Sequence, residues 1–505
     1  MTIADNTPVI IGAGQVSERI GDADYRERSP MDLAGDALAA ALADAGAKRK
    51  LAPALDTIAA IRQFEISGTR FEPVFGCANN PPRAIGRRVG ANPQRAILEI
   101  VGGQGPQRLV GELAAEIAAG RSQLAAIVGS EAISTTRALV ARGANRDWSE
   151  VRRGTIEDRG YGHDGVYDTT LVRHGAGTPI ASYALAENVR RERLGLSLDA
   201  YRQKIGALFA PFTQVAAANP HSAAPLVRSA AELAQLDERN RLVAEPYGRL
   251  VVSRDQVNQG AAVVLASAGE ARRLGVPEER WVHIHAVADC AEPALLSRAN
   301  LEQSPAAIAA ISTALEVANS DWKNVDFFDL YSCFAIPVFN LLDGFDLAAD
   351  DPRGWTLTGG LPFFGGAGNN YAAHAIAEAV TRCRAAPGRR ALVGANGGIM
   401  SKYAAAIYST EPADWSVNRW TSLPKREAGF RVLDQFAGEA TLDSFTIQPG
   451  KAGEVATIAG RVGDARFCAN SNDPAICAEL RQGQQAGRPM RVEEAEKGQN
   501  RFWFI

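Results

Sequence analysis

The sequence is poor in the residues and patterns that mark several protein classes. Its 505 residues include only 6 histidines and 6 cysteines. No two cysteines form a C-x-x-C pair and no histidines have H-E-x-x-H spacing, so we expect no zinc site and no other metal centre. So few cysteines in so long a chain predict reduced thiols in a cytoplasmic protein rather than a disulfide framework.

Long apolar runs and strong net charge are also absent. No stretch reaches the ~18 apolar residues that a membrane-spanning helix requires, and residues 1–7 lack the basic-then-apolar pattern of a secretory signal. A net charge of −3 argues against a general nucleic-acid or anionic-membrane binder. We therefore expect neither a membrane nor a nucleic acid as a partner. The 46% of apolar residues is enough for large buried cores, in roughly three domains.

Short β-rich runs alternate with Ala-rich helical segments through most of the chain, which indicates an α/β fold in layers. The run PVIIG at 8–12 predicts the first strand. Ser29 as N-cap and Pro30 at the first helical position predict a helix, whose apolar residues recur at helical spacing. Gly46 stands where that helix is expected to end.

The same order of elements returns later in the chain. Ser304 and Pro305 open a second helix, 275 residues after Ser29 (304 − 29), between the runs WVHIHA and VDFFDLY. The glycine-rich turn VGGQG, which leads into a helix in the first part, is matched by GGAG before NNYAAHAIAEAV in the second. The repeat predicts two similar α/β halves packed about a pseudo-twofold axis.

Two segments depart from this pattern. Residues 131–250 are rich in Arg, His and Tyr and read as an inserted domain. Residues 411–505 contain several short alternating runs at roughly ten-residue spacing, which predict a small β-barrel or sandwich. That segment lacks the basic-aromatic stripe of a nucleic-acid binder. We predict boundaries at 1–130, 131–250, 251–410 and 411–505.

Six stretches together carry a resemblance to a known family: PVIIGAGQ at 8–15, EIVGGQGPQRLVGELAAEIAAG at 99–120, PYGRLVVSRDQVNQGAAVVL at 246–265, FDLYSCFA at 328–335, GGLPFFGGAGNNYAAHAIAE at 359–378 and GANGGIMSKYAAAIYSTEP at 394–412. Over about residues 7–410 the chain resembles the thiolase superfamily. Within it, the resemblance is to sterol-carrier-type thiolases and acetyl-CoA acetyltransferase-like proteins with an extra C-terminal domain. The resemblance implies an α-β-α-β-α thiolase fold with an inserted loop domain that faces coenzyme A.

Thiolase chemistry requires a cysteine thiolate at a helix N-terminus, a histidine that activates it, a second acid/base group and oxyanion donors. Here the nucleophile position falls on Gly102, which cannot form an acyl-enzyme. The H-D-C-F histidine falls on Tyr331 and the G-H-P histidine on Gly366. The cysteine of the C-x-G motif falls near Ala395 or Asn396. Cys333 retains the cysteine of H-D-C-F, which the resemblance assigns to acid/base work.

From these positions we predict Cys333, His374, Tyr331 and Asn370 as catalytic residues, and Gly102, Gly366 and Asn369 as substrate-binding residues. Cys333 follows a predicted strand, where open α/β sheets place their ligand crevice. His374 lies one turn into the next helix, and the asparagines offer oxyanion donors. The alternatives are a cysteine buried as a small apolar residue, a hydrogen-bonded helix histidine and a packed aromatic.

Other candidates depend on loops that the sequence does not position. Cys77 and Cys290 follow predicted strands or lie in loops, where either a place near the site or a structural role is open. Three histidines of the inserted domain are expected at its surface, namely His163, His174 and His221. Arg173 and Arg249 are candidates for the phosphates of coenzyme A or for solvated charges.

Three hypotheses of function follow. The first is a CoA-dependent acyltransferase or carbon–carbon lyase on β-keto substrates, with CoA or acetyl-CoA as substrate and no tightly bound cofactor. The second is a non-catalytic acyl-CoA or lipid-binding protein that keeps the fold. The third is a scaffold whose C-terminal domain recruits a partner enzyme. The resemblance implies a homodimer built through the first half, or a monomer if the C-terminal domain covers that surface.

Overall fold

The computed structural model describes residues 3–69 and 72–505, and within them an 11-stranded sheet runs through both predicted halves. The elements of the first half are β1 (Pro8–Ser17), α1 (Pro30–Asp44), β2 (Thr57–Ala60), α2 (Pro81–Val89), β3 (Arg95–Leu98), α3 (Gly105–Ala118) and β4 (Leu124–Ala132). The predicted start of α1 is confirmed: Ser29 accepts a hydrogen bond from the backbone N–H of Asp32, and the Asp32 carboxylate completes a capping box.

The inserted loop domain is mainly helical. It contains α4 (Ile133–Ala141), β5 (Glu157–Asp158), α5 (Thr169–Arg173), α6 (Pro179–Arg193), α7 (Leu198–Ala218), α8 (Ala230–Ala234), β6 (Leu242–Ala244) and β7 (Tyr247–Gly248). Its strand β5 pairs in parallel with β3 and so covers the outer edge of the first half's sheet. The paired residues of β3 are therefore closed to another chain, and the two-residue strand β5 becomes the edge of the sheet.

The remaining thiolase-like part runs from residue 258 to 409. It contains β8 (Asn258–Ser267), α9 (Ala268–Leu274), β9 (Val282–Ala291), α10 (Pro305–Val317), β10 (Phe327–Leu330), α11 (Ala335–Gly344), α12 (Tyr371–Ala385), β11 (Arg390–Gly397) and β12 (Lys402–Ser409). Strand β8 lies between β1 and β4, so the first half resumes after the loop domain although the sequence division places residues 251–410 in the second half. Antiparallel pairing between distant segments leaves no local sequence signal.

The sheet order confirms the predicted repeat. Reading outward from the junction, one half runs β1-β8-β4-β2 and the other β9-β12-β11-β10. Helices α3 and α12 contact strands of both halves, whereas α1 packs on β1, β8 and β4, and α10 packs on β9 and β12. The result is the α-β-α-β-α layering of the thiolase fold, with α3 and α12 in the middle layer.

The C-terminal segment forms the predicted barrel. Its elements are β13 (Trp420–Ser422), β14 (Arg431–Val432), β15 (Gly438–Gly450), β16 (Gly453–Val462), β17 (Ala465–Ser471), α13 (Pro474–Leu480), β18 (Pro489–Glu494) and β19 (Asn500–Phe504). The neighbouring strands follow the order β17-β16-β15-β18-β19, and a β17–β19 pair closes the barrel. In the chain, α13 lies between β17 and β18. We call β15–β19 the C-terminal barrel; it has the shape of oligonucleotide-binding barrels. Strand β13 instead joins the large sheet beside β9.

None of the helices in residues 3–69 and 72–505 is both long and apolar enough to cross a bilayer.

Candidate functional site

The site is built around the turn that joins β3 to α3. Gly102 adopts a φ of +138°, a backbone conformation that glycine tolerates far better than other residues. Its N–H donates to Oδ1 of Asn369 at 2.9 Å, and its carbonyl accepts from the N–H of Gly105. The turn is therefore held by the polypeptide on both sides and carries no side chain at the predicted nucleophile position.

The side chain of Gln104 occupies the space that Gly102 leaves. A Cβ built on Gly102 would lie 2.1 Å from Oε1 of Gln104, and one built on Gly397 would lie 1.9 Å from the same atom. Gln104 is 2% exposed, and its Oε1 has no hydrogen-bond partner in the described part of the chain. A carboxamide thus stands beside the position for which the resemblance implies a thiol.

Tyr331 and Cys333 line the other side of the turn. A Cβ on Gly103 would lie 2.4 Å from the hydroxyl oxygen of Tyr331, so this tyrosine packs directly on the turn. The Nδ2 of Asn396 lies 3.8 Å from Sγ of Cys333 and donates to the hydroxyl of Tyr183 at 2.8 Å. The structure brings the two predicted residues together with Tyr183, which the sequence did not single out.

Cys333 is a neutral thiol in this setting. Burial raises its pKa to about 12, although hydrogen bonds from Tyr183 and Asn396 act in the opposite direction. Burial and the nearby Cys333 also raise the pKa of Tyr331 above its ordinary value. Neither group supplies a base near pH 7, since acid/base catalysis works best with a pKa near the working pH.

Asn369 and Asn370 have different partners. Asn369 bridges the Gly102 turn and the first half, because its Nδ2 donates to the carbonyl of Arg62 at 2.7 Å. Asn370 joins two strands by donating to the carbonyls of Gly129 and Ala261, and its Oδ1 has no partner among the described residues. Asn369 therefore belongs to the site, and Asn370 holds the start of α12 on the sheet.

His374 does not join this cluster. Its Nδ1 lies 2.8 Å from Oε1 of Gln15 in β1, and its ring packs edge-on against Phe364. Burial lowers its pKa to about 3, so the imidazole is neutral. The side chain points toward β1 because its place on α12 turns it away from Cys333.

Gly366 lies beside a group of basic side chains. Its N–H donates to the carbonyl of Arg254 at 2.8 Å, and a Cβ there would lie 2.4 Å from Oγ of Ser253. Burial, with the positive charges of Arg249 and Arg228, lowers the pKa of Arg254 below its ordinary value. We call Arg228, Arg249 and Arg254 the arginine cluster.

In the described part of the chain, the arginine cluster has no carboxylate bound directly to it. None of its three members forms an ion pair within residues 3–69 and 72–505, and Nε of Arg254 has no hydrogen-bond partner there. Asp255, whose charge acts on Arg254, pairs with Arg137 at 2.8 Å instead. The N–H of Ser253 donates to the carbonyl of Cys333 at 2.9 Å, which places the cluster next to the Gly102 site.

The remaining candidates lie in several places. His163 contacts the site's border, with Nε2 2.6 Å from the carbonyl of Ser67. Cys77 is exposed as a residue, but partial desolvation of its thiol and the nearby charge of Glu65 raise its pKa. Cys290 is buried with Sγ 3.5 Å from the carbonyl of Pro424.

His221 and two residues next to the C-terminal barrel lie away from the Gly102 turn. The Nδ1 of His221 is 3.2 Å from Oγ of Ser17. His174 is buried against the barrel, and Arg173 pairs with Asp434 at 3.3 Å. The expectation that His174 lies at the surface is wrong, because the barrel covers this part of the loop domain.

Two ionisable groups beside the site, the buried Glu131 and the half-buried Lys402, were not predicted from the sequence. Burial raises the pKa of Glu131 to about 8; its Oε1 accepts from the N–H of Phe64 and lies 2.0 Å from a Cβ built on Gly368. Burial lowers the pKa of Lys402 to about 8, and its Nζ donates to the carbonyl of Val101 at 3.3 Å. Both lie in strands of the large sheet, where a single charged residue in a strand otherwise free of charge is the available signal.

Metal chemistry has no structural support in residues 3–69 and 72–505. No group of three or more His, Cys, Asp or Glu side chains is arranged there to hold an ion.

Comparison with known proteins places this geometry in context. No family model and no curated protein sequence matches the chain. Among solved structures, the chain is similar to a monomeric SCP2-thiolase like protein type 1 from Mycobacterium smegmatis, with 41% identity, 100% coverage of both chains and a TM-score of 0.84.

Two thiolases share the fold at lower identity. An acetyl-CoA acetyltransferase from Syntrophomonas wolfei is 17% identical, with 81% of this chain and 100% of that chain covered and a TM-score of 0.56. The human mitochondrial 3-ketoacyl-CoA thiolase is 18% identical, with the same coverage and TM-score.

Proposed function

Because the chain belongs to the SCP2-thiolase-like proteins of the thiolase superfamily, we propose that it binds coenzyme A or its thioesters without forming an acyl-enzyme at the usual turn. One observation carries the binding proposal, namely the unpaired arginine cluster beside the Gly102 site. Arginine recognises phosphate groups through charge-assisted, often bidentate hydrogen bonds. Coenzyme A combines three phosphate groups with a long neutral arm, and the phosphate groups fit the positive charge of the arginine cluster.

The interior favours binding over turnover. The nucleophile position has no side chain, the thiol of Cys333 is protonated, and His374 is neutral and bonded to another strand. Covalent catalysis needs a nucleophile with a base within hydrogen-bond reach. That arrangement is missing at the turn, so we assign the protein to the non-catalytic members of the fold.

The binding proposal is tested by calorimetry with coenzyme A and with 3′-dephospho-coenzyme A. We expect Arg254→Ala to weaken coenzyme A binding about tenfold or more, since a charge-assisted hydrogen bond contributes roughly 1.5–3 kcal/mol. Arg137→Ala is the matched control, because Arg137 is a nearby exposed arginine whose charge Asp255 already balances. Failure of the wild-type protein to bind coenzyme A would end the proposal.

A second candidate is non-covalent acyl transfer or carbon–carbon cleavage on a β-keto substrate. The contact of Cys333 with Tyr183 and Asn396 favours it, since these groups offer donors around one buried point. Free coenzyme A and products would be followed with acetyl-CoA and a panel of β-keto acids and β-ketoacyl-CoAs. Turnover that Cys333→Ala abolishes and His374→Ala leaves intact would establish this candidate in place of simple binding.

We also propose that the protein is a monomer of the cytoplasm. The β5–β3 pair covers the sheet edge of the first half, and an ion pair between Arg159 and Glu112 supports β5 there. All six cysteines are free thiols, as a reducing compartment favours. Sedimentation velocity that showed a stable dimer would contradict the first statement.

A further inference from the structure

Gln104 combines deep burial with an unused acceptor. It stands at the N-terminus of α3, where its side chain makes no capping bond. Its Oε1 is the atom nearest to a Cβ built on Gly102 and to one built on Gly397. The amide nitrogen Nε2 is farther away, at 3.1 Å from the Cβ built on Gly102. The carboxamide oxygen therefore points into the space between the two glycines.

A second acceptor nearby is also free. Oδ1 of Asn396 has no partner in the described part of the chain, and Asn396 adjoins Gly397. A buried carbonyl oxygen without a donor costs about 1–3 kcal/mol of stability. A ligand that brings a hydrogen-bond donor to this place recovers some of that free energy, whereas one that brings another acceptor does not.

Free coenzyme A and its thioesters differ in whether they can donate a hydrogen bond at the end of the pantetheine arm. The free form ends in a thiol, a weak hydrogen-bond donor. A thioester replaces that hydrogen by an acyl carbonyl, which is an acceptor and needs space that Gln104 fills. We infer that Gln104 makes the site selective for the free thiol of a pantetheine arm over its thioesters. This inference rests on the proposed function and specifies its ligand.

The test is calorimetry with coenzyme A and acetyl-CoA on three proteins. We expect the wild type to bind coenzyme A about tenfold more tightly than acetyl-CoA. Gln104→Ala removes both the acceptor and the filling group, so the preference should fall to about twofold or less, mainly through tighter acetyl-CoA binding. Gln107→Ala is the control, since Gln107 is a buried glutamine of the same helix whose Oε1 is also unpaired in the described part of the chain but whose Nε2 donates to Tyr408, and it should keep the preference.

Gln104→Ser provides a second small variant if Gln104→Ala folds poorly, and it should show the same loss of preference. Equal affinity of the wild type for both ligands, or an unchanged preference in the variants, would overturn the inference while the binding proposal stood. Tighter binding of acetyl-CoA would show that the amide nitrogen faces the ligand and would also overturn it. Absence of binding by both ligands would overturn the proposed function along with this inference.

Discussion

The Gly102 site and the contact between the C-terminal barrel and the loop domain are both buried, yet their polar groups differ in how they are satisfied. At the site, the side-chain oxygens of Gln104 and Asn396 lack partners. At the barrel, Nδ1 of His174 lies 2.8 Å from the carbonyl of Thr170, and Nε2 accepts from the N–H of Asn500 at 2.9 Å. The carbonyl of His174 accepts from Nδ2 of Asn470 at 3.0 Å, and Oδ1 of Asn470 is the exception, since it has no partner in the described part of the chain.

This difference in degree favours the Gly102 turn, rather than the barrel contact, as the proposed ligand site. Buried polar groups in proteins are nearly always paired, so unpaired ones call for an explanation. Thr457 in β16 and Asn470 in β17 both donate to His174, and in oligonucleotide-binding barrels these two strands present the ligand face. The chain itself covers that face, which weakens the scaffold hypothesis and leaves the Gly102 site for ligand binding.

The largest expected effect concerns the contact of the C-terminal barrel with residues 296–299, where the buried barrel interface continues beyond the loop domain. Arg466 is 4% exposed, pairs with Asp443 at 2.8 Å and donates to the carbonyls of Leu296 and Ala299. Arg466→Ala should lower the free energy of unfolding by about 3–5 kcal/mol, because it breaks a buried ion pair. Urea denaturation measures this, with Arg461→Ala as control, since Arg461 pairs with the same carboxylate and is far more exposed. Equal losses in both variants would contradict a tightly satisfied interface.

The next effect tests how tightly the side chain of Gln104 packs against Gly102. Gly102→Ala should cost about 2–3 kcal/mol, since it adds backbone strain and meets Oε1 of Gln104. Gly90→Ala is the matched control, because Gly90 has a φ of +79° but no atom within 4 Å of its built Cβ, so it reports strain alone. The excess cost at Gly102 should shrink in a Gln104→Ala background. Equal losses of unfolding free energy in Gly102→Ala and Gly90→Ala would show that the Gln104 side chain moves aside without cost.

The fold could be predicted from the sequence more fully than the arrangement of the site. Ser29 and Pro30 set a helix start through local capping, and the motif around Gly102 follows from the repeat and the family resemblance. His374 illustrates the limit, since each residue turns the helix face by about 100° and a small error in register redirects the side chain. The filling of the turn by Gln104 depends on Gly397, a contact between distant segments for which a single sequence has no signal.

Stability should depend on pH in opposite directions at the two regions, through Glu131 near the Gly102 site and His174 at the barrel. Burial, with the nearby carboxylate of Glu65, raises the pKa of Glu131 from 4.5 to about 8. Its contribution to stability is therefore present below about pH 4.5 and is lost as the pH rises through 8. Relative to Glu131→Gln, the wild type should lose about 3 kcal/mol between pH 5 and pH 8, measured by urea denaturation at each pH.

His174 should show the reverse dependence. Burial and the charge of Arg173 lower its pKa below 6.5, while its hydrogen bond to Thr170 and the charge of Asp434 act the other way. Its contribution is present above pH 6.5 and is lost as the pH falls through the lowered value, since a second ring proton would face the N–H of Asn500. His174→Gln should flatten the acid side of the stability profile. A profile that the substitution leaves unchanged would contradict the assigned neutral ring.

The smallest expected effect on stability is at Gln104 itself. Its Oε1 makes no hydrogen bond, so Gln104→Ala removes packing and an unsatisfied acceptor at once, and the two changes offset. The free energy of unfolding should change by less than about 1 kcal/mol. Gln107→Ala should cost more, because it removes the bond from Nε2 to the hydroxyl of Tyr408 at 2.7 Å and leaves that hydroxyl unpaired. A loss at Gln104 as large as at Gln107 would mean that its carboxamide is satisfied, and the contrast between the two buried regions would then no longer mark the Gly102 site as the place for a ligand.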